Sequence, residues 1–131
     1  MNGQFIRKFG SKGKRNGELD RLYGIGLLSN RNIVVGEFGN NRISIFDQEG
    51  TFIKIIGAGE LGNALHLFID SDDNILIADQ INTRIAIYSS QNGNLLKSIP
   101  TDDSVGYPFG ITMDRDGRII VSGATNKFAI Y

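Results

Sequence analysis

At 131 residues, with fourteen Lys and Arg balanced by fourteen Asp and Glu, the chain is long enough for one domain with a core. It carries no net charge that would draw it to nucleic acid or a membrane surface. A hydrophobic content of 40% excludes a disordered chain, and the absence of cysteine excludes a disulfide-stapled scaffold. There is also no N-x-Ser/Thr acceptor, no apolar run of spanning length and no signal-like start, so the expectation is a cytoplasmic protein without a membrane role.

In chain order, the first apolar run is QFIRKFG, which predicts a strand at Phe5–Phe9. The longest loop follows, SKGKRNGELDR, with Lys12, Lys14, Arg15 and Arg21 set against Glu18 and Asp20 and with Tyr23 immediately after. Four short strands come next, Tyr23–Leu28, Ile33–Gly36, Arg42–Asp47 and Phe52–Ile56, separated by the turn signals SNRN and DQEG. The pattern then returns. Leu67 to Asp70, Ile75 to Ala78, the heptad NTRIAIY and the run NLLKSIP repeat it around the turns SDDN and SSQNG. A third copy runs through Ile111 to Asp114, the turn RDGR, Ile119 to Ser122 and the heptad TNKFAIY. The heptads NNRISIF, NTRIAIY and TNKFAIY end on Phe46, Tyr88 and Tyr131, 42 and 43 residues apart, which is a structural period.

Each repeat therefore predicts a four-stranded antiparallel sheet, in repeats of approximately 5–50, 51–93 and 94–131, twelve strands in all with essentially no helix. The strands are nearly continuous in apolar character, the pattern of a sheet covered on both faces, as in radially stacked blades. Ser44, Ala86 and Ala129 are small residues that would let blades approach. Arg7, Lys54 and Lys97 recur in the last strand, where a basic residue discourages edge-to-edge aggregation.

The stretch FGSKGKRNGELDRLYGIGLL followed by NIVVGEFGNNRISIFDQEGTFIKIIG resembles the NHL-repeat consensus, and the resemblance covers nearly the whole chain in three copies. The second copy departs from the pattern at Leu65-His66, and the third loses one residue around Gly123. The resemblance implies an all-β fold, an NHL-type β-propeller with three four-stranded blades per chain, where the family is usually six-bladed. Residues 5–9 read as a fourth strand and Lys127–Tyr131 as a third, so the expectation is that two copies related by a two-fold close a six-bladed ring as a homodimer, the alternative being that the chain is a segment of a longer propeller.

Chemistry finds little support in the residues. His66 is the single histidine, so neither a catalytic triad with a spare nor a multi-histidine metal site can be assembled from one chain. The stretches at Asp70 to Asn74 and Asp114 to Gly117 have the oxygen-rich look of calcium loops but lack the distal glutamate, and they read as hairpin turns. The glycine pairs are followed by no helix and are not dinucleotide fingerprints. No metal, cofactor or catalytic residue is expected.

Strand direction sorts the loops onto two rims. One gathers Lys12, Lys14, Arg15, Arg21, Tyr23, Phe38, Asn40, Asn41, His66, Asn82, Tyr107 and Asn126, and is the expected binding surface. The other gathers Asp47, Glu49, Asp70, Asp72, Asp73, Asp114 and Asp116 and should repel phosphate. The expectation is a non-enzymatic scaffold that recognises a protein partner. The family resemblance to the NHL domains of tripartite-motif proteins implies RNA binding on the same rim as the alternative, and a metal-dependent propeller lyase is the least favoured.

Overall fold

The computed structural model describes residues 2–131, with only the backbone described at Leu65. Among them are eleven strands and no helix, arranged as three antiparallel meanders. The first blade is β1 (Leu22–Leu27), β2 (Ile33–Glu37), β3 (Arg42–Phe46) and β4 (Phe52–Ile56), hydrogen-bonded in chain order. The second is β5 (Ala64–Ile69), β6 (Asn74–Asp79), β7 (Arg84–Ser89) and β8 (Leu95–Pro100). The third has β9 (Pro108–Met113), β10 (Ile119–Gly123) and β11 (Phe128–Ile130). Register repeats with the sequence, since Val35 opposes Ser44, Ile77 opposes Ala86 and Val121 opposes Ala129.

The first strands of the blades lie innermost: β1 packs against β5 and β5 against β9, so the sheets radiate from a common axis as in a propeller. Two apolar layers result. Val34, Ile43, Ile45 and Ile56 of the first blade meet Leu67, Ile75, Ile77 and Tyr88 of the second. Leu76 and Ile85, on the opposite face of the second blade, meet Ile119 and Val121 of the third, with Phe68, Ile87, Ile111 and Met113 packed around them. The middle blade is thus covered on both faces, which is why β6 is buried at five successive positions and its sequence does not alternate. Close approach of β1 to β5 depends on Gly26, where a Cβ would stand 2.7 Å from Ile69 Cγ1 and 2.9 Å from Leu67 Cδ1.

Three expectations need correction. Phe5–Phe9 forms no strand, because a fourth strand needs a third-strand edge and the free edge, on β11, belongs to the blade at the far side of the arc. Ser44 does not serve close packing with the second blade; it shares a register row with Val35 and donates to a buried carboxylate. Lys54 is no free edge charge, for its Nζ donates to Ser90 O at 3.0 Å and Gln91 O at 2.7 Å in the next blade, while Lys97 remains exposed.

Candidate recognition rim

β2 ends on Glu37, whose wholly buried carboxylate receives four donors. They are the Asp20 N–H at 3.1 Å, Asn40 Nδ2 at 2.7 Å, Arg42 Nε at 2.8 Å and Ser44 Oγ at 2.5 Å. A buried charge requires this degree of satisfaction. Arg42 turns its remaining donors on the long loop: Nη1 to Lys14 O at 2.8 Å, and Nη2 to Arg15 O at 3.1 Å and Glu18 O at 2.9 Å. The loop closes on itself through Leu19 N–H to Ser11 O and Arg15 N–H to Glu18 Oε1. Its carbonyls therefore face the clamp, and the side chains of Lys12, Lys14 and Arg15 stay in solvent.

The second blade repeats the device. Asp79, also wholly buried, receives the Gly62 N–H at 2.9 Å, Asn82 Nδ2 at 2.9 Å and Arg84 Nε at 2.7 Å, and Arg84 Nη2 reaches Glu60 O at 3.1 Å. Sequence reasoning passed over these acids. The signal was present as acid, asparagine and arginine at the same spacing in two copies, Glu37–Asn40–Arg42 and Asp79–Asn82–Arg84. In the third blade Gly123 and Lys127 stand at the acid and arginine places, and the turn is one residue shorter. A side chain there is impossible without rearrangement, since a Cβ on Gly123 would lie 2.1 Å from Val105 O.

On this frame sits a stack of exposed Arg21 and Tyr23 around half-buried Phe38. Phe38 N–H donates to Arg21 O at 2.8 Å and Gly39 N–H to Asp20 O at 3.1 Å, drawing the β2–β3 turn against the loop. The Tyr23 and Phe38 ring centroids are then 5.4 Å apart, and the Arg21 guanidinium lies 5.3 Å from the Phe38 centroid. Tyr23 occupies a register irregularity of β1 between Leu22 and Gly24, and β5 has one between Ala64 and Leu67, where exposed His66 lies. Bulges of this kind re-aim side chains at functional rims. Tyr107 and Asn126 are exposed on the third blade, and the apolar Ile81, not singled out from sequence, is exposed in the β6–β7 turn.

The structure thus brings together Arg21, Tyr23, Phe38 and the basic loop, and carries His66, Tyr107 and Asn126 on the other blades. Three asparagine side chains are committed inside the fold. Asn40 donates to Glu37 and to Gly13 O, Asn82 donates to Asp79 and Glu60 O, and Asn41 Oδ1 accepts the Asn63 N–H at 2.8 Å, joining two blades.

At the opposite end the acidic groups are turn-makers. Asp47, Asp70 and Asp114 each accept the N–H groups two and four residues ahead, at 2.8 to 2.9 Å. The Arg118 N–H and guanidinium hold the Asp114 carboxyl below its ordinary value. The Ser29 hydroxyl and N–H do the same for Asp73, linking the first turns of two blades.

No family model matches the chain. "Protein brain tumor" of Drosophila melanogaster is 31% identical over 123 residues, 87% of this chain and 12% of that protein. "Protein lin-41" of Caenorhabditis elegans is 41% identical over 49 residues, 37% of this chain and 4% of that protein. Both are NHL-repeat proteins, and this chain spans only a small part of either. A solved streptogramin B lyase superposes with a TM-score of 0.70 at 20% identity, covering 97% of this chain and 44% of the lyase, a likeness of fold. Repeat period, blade register and these relatives agree: the chain belongs to the NHL-repeat β-propellers, of which it supplies three repeats.

Proposed function

We propose that the chain is a non-enzymatic binding module that recognises a protein partner on the loop-rich rim, and that it works as a ring closed by a second copy. NHL-repeat relatives bind proteins or RNA in general. The observation that carries the reading is the stack of exposed Arg21 and Tyr23 on half-buried Phe38, beside the buried Glu37–Arg42 pair. Arginine and aromatic side chains on a rigid base are what binding hot spots are made of.

A second reading, single-stranded RNA, is favoured by the exposed Lys12, Lys14 and Arg15 beside that stack, since cations suit phosphates and rings suit bases. A lyase role like that of the structural neighbour has the least support, because the sequence offers one histidine and no cysteine.

Two variants separate the readings. Phe38→Ala should weaken a protein partner, recovered on the immobilised chain, by roughly tenfold or more, with little dependence on salt. Lys12, Lys14 and Arg15 changed together to Ala should flatten the salt slope of binding to a random single-stranded RNA pool if the second reading holds. Binding that survives both changes and falls on replacing Asp72 and Asp73 would move the site to the opposite rim.

A further inference from the structure

Residues 5–9 lie where a fourth strand lies, although no sheet stands beside them. Lys54 of β4 reaches across to Ser90 O in the turn after β7, and Arg7 Nη1 reaches in the same way to Gln48 O at 3.1 Å in the turn after β3. Ile56 packs in the core with Tyr88, and Phe9 packs on Phe46 with ring centroids 5.8 Å apart. Even the neighbouring glycine repeats. A Cβ on Gly93 would touch Ile56, and a Cβ on Gly50 would run into the Phe9 ring. Arg7 and Phe9 therefore make the contacts that β4 makes with the following blade, while Phe5 and Ile6 stand 74% and 81% exposed.

The complementary feature is on the third blade. β11 pairs with β10 alone, and Phe128 and Ile130 are 69% and 55% exposed on its far face. Ile25 and Leu27 are exposed on the face of the first blade that looks away from the second.

We infer that residues 5–9 are a donated strand, which completes the third blade of a second copy by pairing antiparallel with β11. The occupant is a second copy because one chain carries both halves of the contact, each repeat-matched to the other. The two exposed apolar faces are brought against each other by the same step, and three blades from each copy give six. This deepens the two-copy reading above and rests on it. The register follows from the other blades, where Ile43 opposes Ile56 and Ser44 opposes Ile55, and Ala86 opposes Ser98. By repeat equivalence Phe128 faces the partner copy's residue 9, and Ala129 faces its residue 8.

The chain has no cysteine, so a cross-link reads the register directly. In oxidised Lys8→Cys/Ala129→Cys the two thiols of different copies are opposite one another, and a disulfide-linked dimer of twice the chain mass is expected. In Lys8→Cys/Ile130→Cys the side chains point to opposite faces, and the cross-link should be lost. A native mass of two copies without the first cross-link, or with both equally, overturns strand donation and leaves the two-copy reading standing. A monomeric mass or an open polymer overturns both. Amide exchange of residues 128–130 in the unmodified chain gives a readout free of variants. Protection that is lost on dilution is expected, and exchange at the rate of an open edge at every concentration would sink the proposal.

Discussion

Residue by residue, the turns show how one backbone path is written in different letters. The β1–β2, β5–β6 and β9–β10 turns each hold a left-handed residue, Arg31 at φ 74°, Asp73 at 61° and Gly117 at 81°. The turns after the second strands do so at Asn41, Thr83 and Asn126, with φ of 51°, 47° and 62°. Asparagine tolerates this region, whereas a β-branched threonine does not. Replacing the exposed Thr83 by Asn should therefore raise unfolding free energy by about 1 kcal/mol, measured by denaturant titration. The buried acids test a different balance. Arg42→Ala would strand the wholly buried Glu37 charge and release the Lys14, Arg15 and Glu18 carbonyls, so a loss of about 3–5 kcal/mol is expected. Removal of Arg118, whose partners Asp114 and Asp116 lie on the surface, should leave the denaturation midpoint unmoved.

Between elements, the blades are joined by apolar layers and by a few polar stitches. Gly26 sets the β1–β5 spacing, and Gly26→Ala should destabilise the chain by about 1–3 kcal/mol through overpacking against Ile69 and Leu67. The Ser29–Asp73 stitch has a pH signature. Because hydrogen bonds from Ser29 hold the Asp73 carboxyl below its ordinary value of 3.8, their contribution is present above that value and is lost as pH falls through the lower folded one. A Ser29→Ala variant should thus be less stable than the parent at neutral pH. The gap should close below the ordinary aspartate range, and a gap of constant size across a pH series of thermal melts would show that Asp73 is not responsible.

As a whole molecule, the arc has a filled middle and two apolar ends. The second blade is covered on both faces, while Ile25 and Leu27 at one end and Phe128 and Ile130 at the other face solvent in a single copy. If a second copy covers them, folding and association are linked, and the midpoint of thermal unfolding must rise with protein concentration. Deleting residues 1–9 should abolish that dependence and promote aggregation through the bare β11 edge. A truncated chain with unchanged mass and midpoint would show that the segment takes no part in assembly.

The period and the four strands of the first two blades were legible in the sequence, because they follow from local apolar runs and turn residues that repeat, whereas the strand expected at Phe5–Phe9 did not form, since pairing needs an edge that local sequence does not supply. The third blade's missing residue was legible too, but its reason was not. The carbonyl of Val105 leaves no room beside Gly123, and that contact joins residues far apart in the chain. The buried acids Glu37 and Asp79 wrote a faint repeated spacing with their arginines, yet burial of a charge depends on every donor around it, and these include the Asp20 and Gly62 N–H groups of the preceding loops, far from the acids in sequence. The same holds for the rim. Strand direction placed Arg21, Tyr23 and Phe38 at one end, but only the hydrogen bonds from Phe38 to Arg21 and from Gly39 to Asp20 bring the rings and the guanidinium into a stack. Asn40, Asn41 and Asn82 looked equally available, and it is the tertiary structure that engages their side chains in hydrogen bonds within the chain. The sequence by itself determined the fold because the fold is local and periodic. Which polar side chains remain free to bind was decided by tertiary contacts, since a hydrogen bond made within the fold is one withheld from a partner.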